Sequence, residues 1–176
     1  IDEMFVFDQR HYTTIAKKLI ERGLGEKLNI WAYARVDTVK EGHLDLLKRA
    51  GFHWLALGIE SGSEHVRAGA HKKFKGEDII ETVRKIQSAG INVVGNYIFG
   101  LPDDTLETMQ ATLDLSKTLN TERPNFYSAV AYPGSGLHIM ATKRELPVPE
   151  GWDYSRPLLP EDDGGPGWIG YSQHSY

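Results

Sequence analysis

Five times along this chain a short apolar run ends in a polar or glycine-rich signature and hands over to an amphipathic helical pattern. The run-ends are Phe5–Asp8, Ile30–Asp37, Trp54–Gly62, Val93–Pro102 and Phe126–Gly136. Strands alternating with helices predict an α/β fold built of βαβ units, whose strand C-termini carry the loops that do chemistry. The five signatures therefore converge on one end of a parallel sheet. Five units are too few to close an eight-stranded barrel, so they form either an open sheet or an arc of a larger barrel. The first run has no helix or cap before it, and we expect the N-terminal part of the domain to precede Ile1.

The spacing places the helices between the runs. Thr13 or Thr14 is predicted to cap a helix with Ile15, Leu19 and Ile20 on one face, closing near Gly23 and Gly25. After the strand Ile30–Ala34, a helix carries Leu44, Leu47 and Ala50 and stops at Gly51. After Trp54–Ile59, Ser61 and Glu64 have capping-box spacing, so a helix is expected at once. Lys72, Lys73 and Lys75 form a basic loop before the strongest helical pattern, whose inner face reads Ile79, Ile80, Val83 and Ile86 up to Gly90. Ile91–Phe99 is the fourth predicted strand. Asp104 and Glu107 read as a capping box for a helix with Leu106, Met109 and Leu113 inward. The fifth strand runs from Phe126 to Ala131. Beyond Leu146, Pro147, Pro149, Pro157, Pro160 and Gly164-Gly165-Pro166-Gly167 predict an irregular extension over 147–176, with Trp152 and Trp168 as anchors. The domain proper is expected to span 1–146.

Composition narrows the classes. The chain has 176 residues and a net charge of −4, a balance that does not suggest binding to a nucleic-acid backbone or an anionic membrane. No apolar run approaches the roughly 20 residues that span a bilayer, and no signal-peptide pattern opens the chain, so a cytoplasmic protein is expected. It contains no cysteine, which excludes disulfides, thiol nucleophiles and thiolate metal ligands within these residues. None of the 7 histidines is paired as His-x-His or His-x-x-x-His, so no metal site is expected from them. There is no Walker-type phosphate loop, no Gly-x-Gly-x-x-Gly after a strand and no Gly-x-Ser-x-Gly elbow.

The strand ends offer the candidate site. In Gly58-Ile59-Glu60-Ser61-Gly62 a carboxylate and a hydroxyl stand between glycines that let a ligand approach the backbone. A carboxylate there suits a ribose diol or a cationic amine; otherwise Glu60 pairs with a lysine and the glycines only shape a turn. Arg35 ends the second strand near the same face. Its planar fork suits a ligand carboxylate, and an ion pair with Glu60 is the structural alternative. Asn96 is polar within an apolar strand, so it points into a polar barrel interior or bonds a neighbouring strand. Gly100-Leu101-Pro102 is a bare turn that suits a flat ring. Asp8 and Tyr132-Pro133-Gly134 end the first and last runs. His65, His71, Lys72 and Lys73 read as a solvated face.

In this order, Phe5–Asp8, Trp31–Asp37, Leu44–Gly51, Leu57–Gly62, Ala89–Pro102 and Tyr132–Ser135 together resemble the radical S-adenosylmethionine superfamily. The closest likeness is to the branch often joined to a cobalamin-binding domain. The resemblance implies a partial TIM-like (β/α) barrel with a 4Fe–4S cluster on a Cys-x-x-x-Cys-x-x-Cys loop, whose open iron chelates S-adenosylmethionine. Reductive cleavage to a 5′-deoxyadenosyl radical, or radical methyl transfer, would follow, with electrons from a flavodoxin- or ferredoxin-type donor. It implies that Asp8 contacts the cofactor's amino group. Arg35, Glu60 and Ser61 would line its methionine and ribose portions, and Gly100–Pro102 with Tyr132 and Pro133 would border the adenine. The chain would begin at the second barrel strand, lacking the cluster cysteines. As given it should be inactive, with an exposed edge at Phe5–Phe7 suited to self-association. The alternatives are an ordinary TIM-barrel lyase or hydrolase using Glu60 with Asp8 or Arg35, and a non-catalytic interaction module.

Overall fold

The computed structural model describes residues 4–69 and 75–145. Lys72 and Lys73 of the expected basic loop, His71 of the expected solvated face, and the expected extension with Trp152 and Trp168 lie outside the described residues. Four parallel strands form one sheet in chain order: β1 (Ile30–Ala34), β2 (Phe52–Glu60), β3 (Asn92–Phe99) and β4 (Arg123–Ser128). Helix α1 (Gln9–Glu21) precedes them, and α2 (Leu44–Arg49), α3 (Glu64–Gly69), α4 (Gly76–Ser88), α5 (Leu106–Leu119) and α6 (Gly136–Lys143) connect and follow them. Sequential parallel order with helical crossovers is the arrangement of a barrel arc. Among the described residues no helix is long and apolar enough to cross a membrane.

Side chains on the strands divide by face. Ala32 and Ala34, Leu55, Leu57 and Ile59, and Val93 and Tyr97 are buried against Tyr12 and Ala16 of α1, Leu44 and Leu47 of α2, and Ile79, Val83 and Ile86 of α4. The other face carries Trp31, Tyr33, Trp54, Asn96 and Asn125. Across its floor the Trp31 and Trp54 rings meet at 5.6 Å, and the Arg123 guanidinium from the far edge lies 5.9 Å from the Trp31 ring. That cation–π contact closes the bottom of the arc.

Several expected boundaries move. Phe5–Phe7 is no strand: only Val6 pairs, in a single parallel bridge with Ala34, and its N–H donates to the Tyr33 carbonyl (3.1 Å). The chain turns into α1 two residues later, because Asp8 and not Thr13 or Thr14 is the cap. Asp8 accepts from the His11 N–H (3.0 Å), while Thr13 and Thr14 donate back to the Gln9 and Arg10 carbonyls within the helix. The last strand starts three residues earlier than expected, admitting Pro124 because an edge strand has no ladder partner on one side.

The start of α5 also differs. Thr105, not Asp104, caps it by accepting from the Thr108 N–H (3.3 Å). Asp104 is buried instead, accepting from the Gly100 N–H (3.0 Å) and the Thr108 hydroxyl. Leu106 is 64% exposed, and the inward stripe of α5 runs through Thr112, Leu115 and Leu119.

Tyr97 folds back over Gly95, where a Cβ would lie 2.8 Å from its hydroxyl, and stacks on Phe126 with centroids 5.0 Å apart. The hydroxyl is directed at the buried Thr121, and neither oxygen reaches good hydrogen-bond geometry. Burial pushes the phenol up from its usual 10 to about 12. The unfolded chain therefore loses this proton first, and stability falls as pH rises above 10. Comparing urea unfolding at pH 9 and pH 11, we expect the wild type to lose about 1.3 kcal/mol more than Tyr97→Phe does. Equal losses would mean the ring is hydrated in the native state.

Candidate active site

The strand ladders set the site residues at matching heights. Ala34 pairs with Leu57 and Leu57 with Gly95, so Arg35, one residue further, is level with Gly58, Asn96 and Asn125. Glu60 stands one step above, beside Tyr97 and Phe126. The Val6–Ala34 bridge brings Asp8 to this same end. The fold thus gathers Asp8, Arg35, Glu60, Asn96 and Gly100 along the C-terminal edge of one parallel sheet.

Arg35 does not rely on Glu60 for its partner. Its Nε and Nη2 donate to Asp37 Oδ1 and Oδ2, both at 2.9 Å, in a fork-to-fork pair two residues apart. The Arg35 side chain is 30% exposed and Asp37 47%, so a competing carboxylate has access to both. Asn96 takes the second of its two expected courses: its Oδ1 accepts from Asn125 Nδ2 across the β3–β4 ladder (3.2 Å).

Glu60 occupies a bulge. The β2–β3 register slips between Gly58 and Glu60, and Glu60 has a φ of 69°. Its neighbours Ile59 and Ser61 are both fully buried, whereas Glu60 is partly exposed, so the bulge sets this residue apart from the packed layer. Ser61 faces inward: its hydroxyl accepts from the Ser63 N–H (3.1 Å) and bonds the Thr112 hydroxyl (3.2 Å). The expected room for a ligand at Gly62 belongs to α5 instead, since a Cβ there would lie 2.4 Å from the Ala111 carbonyl oxygen. A helix does follow β2, but α3 begins at Glu64 with Ser63, not the expected Ser61, at its cap: the Val66 N–H points at the Ser63 hydroxyl (3.5 Å) and the Ser61 hydroxyl is bonded to Thr112.

Tyr132 borders an apolar groove of about 540 Å³ lined by Ile98, Leu101, Phe126, Tyr127 and Leu137 among others; Gly100 and Pro102 flank Leu101 in the chain and are not among its lining residues. The Tyr132-Pro133-Gly134-Ser135 turn is closed by the Ser135 N–H donating to the Tyr132 carbonyl (2.9 Å), and Ser135 then caps α6. Tyr132 is 53% exposed and Tyr127 52%, so the groove presents aromatic surface.

Asp8 is occupied as a helix cap, and the His11 N–H bond holds its carboxyl below the usual range. Asp8→Ala is expected to lower the melting temperature, while Asp8→Asn keeps the acceptor and the helix. Because the native pKa is depressed, the charge's contribution is present above the ordinary carboxylate pKa and is lost as pH falls through the native one. Thermal melts from pH 6 to pH 3 should show that acid loss in the wild type, reduced in Asp8→Asn. An identical acid profile in the two proteins would contradict the assignment.

Sequence reasoning missed Thr112, Arg67 and Asn125. Thr112 was legible in part: Thr108, Thr112, Leu115 and Leu119 form one helical stripe in which the threonines replace apolar residues. Arg67, fully buried in a short helix, carried no periodic signal.

The model of the Radical SAM superfamily matches residues 6–116, more than half of the chain. An uncharacterized methyltransferase of Pyrococcus horikoshii is 28% identical over 152 residues, covering 86% of this chain and 33% of that protein. The anaerobic magnesium-protoporphyrin IX monomethyl ester cyclase of Rubrivivax gelatinosus is 24% identical over 165 residues, covering 92% and 29%. The chain thus spans about a third of the length of these curated relatives. Among solved structures, the radical S-adenosylmethionine methyltransferase TsrM of Kitasatospora setae superposes with a TM-score of 0.66 at 22% identity, covering 73% of this chain and 26% of that one. Coproporphyrinogen III oxidase (HemN) of Escherichia coli gives 0.64 at 21%, covering 80% and 32%. These two likenesses establish the shared barrel architecture, and the parallel order, the gathered strand ends and the family match together assign the chain to the radical SAM superfamily.

Proposed function

We propose that this chain forms the S-adenosylmethionine-binding wall of a radical S-adenosylmethionine enzyme, and that the complete enzyme carries out radical methyl transfer. The observation that carries the binding reading is the partly exposed Glu60, set in a bulge at the C-terminal end of the sheet near Arg35 and Asn96. The methyl-transfer class rests on the name of the Pyrococcus horikoshii relative, which covers most of this chain.

The residues fit the groups of S-adenosylmethionine. Glu60 accepts hydrogen bonds from the ribose diol. Arg35 offers its fork to the methionine carboxylate, exchanging it for Asp37. Asp8 faces the ammonium group. Asn96, with Asn125, supplies amide donors and acceptors beside the ribose. Ser61 supports this row from behind. The groove at Leu101 and Tyr132, with Gly100 and Pro102 flanking Leu101 in the chain, takes the adenine ring, excluding water from its faces. Bound S-adenosylmethionine supplies the methyl group or the radical precursor. The residues given do not fit an iron–sulfur cluster, because they include no cysteine. We assign cluster ligation, cobalamin binding, substrate recognition and docking of a flavodoxin- or ferredoxin-type donor to other parts of the complete protein.

The binding reading is tested by titrating the isotopically labelled chain with S-adenosylmethionine and following its backbone amides by nuclear magnetic resonance. At millimolar ligand, amides within 58–62 and 96–102 should shift together along one saturation curve. No movement, or movement confined to the outer helices, would overturn it.

A further inference from the structure

Glu60 is held in an unfavourable conformation by groups from two helices. Its φ of 69° lies in the left-handed region, and the Ser61 N–H donates across it to the Ile59 carbonyl (3.0 Å), closing a three-residue turn. A non-glycine residue keeps such a conformation only where its surroundings over-determine it. Here three bonds do so. Arg67 Nη1 donates to the Ser61 carbonyl (2.6 Å). The Gly62 N–H donates to Thr112 Oγ1 (2.8 Å), and the Ser61 and Thr112 hydroxyls are bonded at 3.2 Å.

Proton bookkeeping fixes the direction of that last bond. A hydroxyl has one proton to give and two lone pairs. Thr112 gives its proton to the Thr108 carbonyl (2.9 Å), so it accepts from both Gly62 and Ser61. Ser61 in turn accepts from the Ser63 N–H (3.1 Å). The Thr112 hydroxyl is thereby saturated and buried at 1% exposure, which leaves it no capacity for a ligand. Every bond it makes toward the sheet ends on the two residues that follow Glu60.

We infer that Thr112 is a positioning residue for Glu60: from α5 it locks the bulge that presents the carboxylate to S-adenosylmethionine. The inference rests on the binding reading above, and the wild-type titration separates the two. Thr112→Val keeps the side-chain shape and removes the hydroxyl; Thr112→Ser keeps the hydroxyl and removes a methyl group. We expect Thr112→Val to weaken binding about tenfold, the effect of one buried hydrogen bond. Thr112→Ser should bind within about threefold of the wild type even where its urea midpoint falls below that of Thr112→Val.

Wild-type-like affinity in Thr112→Val, or equal weakening in both variants, would overturn the inference and leave the binding reading standing. An unresponsive wild type would overturn both. If Thr112→Val does not fold, Ser61→Ala decides, since it removes one hydroxyl of the pair and spares the Gly62 bond. A loss of about fivefold or more, the effect of one neutral hydrogen bond, supports the lock, and affinity within about threefold of the wild type overturns it.

Discussion

Replacing Gly62 by alanine should destabilise the protein by about 3 kcal/mol, as an overpacking change with no route of relief. A Cβ at this position would lie 2.4 Å from the Ala111 carbonyl oxygen, 2.6 Å from its carbon and 2.7 Å from the Thr112 nitrogen. All three are backbone atoms of α5, so no side-chain end can swing away. The helix must retreat from the sheet, and its retreat breaks the Gly62–Thr112 bond that fixes the bulge. Gly76→Ala is the internal comparison, because a Cβ there meets nothing within 4 Å. It should be neutral or stabilising by about 0.5 kcal/mol through the unfolded chain. Urea unfolding of both variants checks the contrast. A Gly62→Ala protein as stable as Gly76→Ala would mean that α5 does not press on the site loop.

The second large effect concerns Glu60 itself. Glu60→Gln retains the shape and removes the charge, so it should cost ten- to a hundredfold in S-adenosylmethionine affinity, from about 1.5–3 kcal/mol for a charge-assisted bond. Two further variants separate strain from function. Glu60→Ala and Glu60→Gly both abolish the carboxylate, but only glycine adopts a φ of 69° without penalty. The glycine variant should be more stable than the alanine variant by about 1 kcal/mol, while both bind equally poorly. Equal stability would show that the turn relaxes when the carboxylate is absent. Wild-type affinity in Glu60→Gln would remove Glu60 from the site.

The pattern of legible and illegible features follows from how each element is constrained. β1 matched its expected span of Ile30–Ala34 as an apolar run that alternates in burial, and β2 and β3 matched their cores because the central strands of a parallel sheet read as continuous apolar runs. The edges read less well. Phe5–Phe7 has the composition of a strand, yet only Val6 pairs, and β4 admits Arg123 and Pro124 where one side of the ladder is open. Caps were ambiguous wherever several polar residues compete: Asp8 outcompeted Thr13 and Thr14, and Thr105 displaced Asp104.

The strand-end signatures placed Arg35, Glu60, Asn96 and Gly100 at one end of the sheet, and the topology delivers them there. It did not reveal which side chains face outward. Ser61 and Glu60 are adjacent and both polar, and only the bulge at Gly58–Glu60 decides that one is presented and the other is bonded to α5. Arg35 found a local partner in Asp37, two residues away, sooner than one across the sheet.

The central claim is most directly tested on the complete translated protein that contains this chain, by anaerobic iron–sulfur reconstitution followed by electron paramagnetic resonance. The account predicts a reduced 4Fe–4S signal that shifts when S-adenosylmethionine is added, and a smaller shift in Glu60→Gln at the same ligand concentration. A complete protein that assembles no cluster, or a cluster signal indifferent to S-adenosylmethionine, would contradict it.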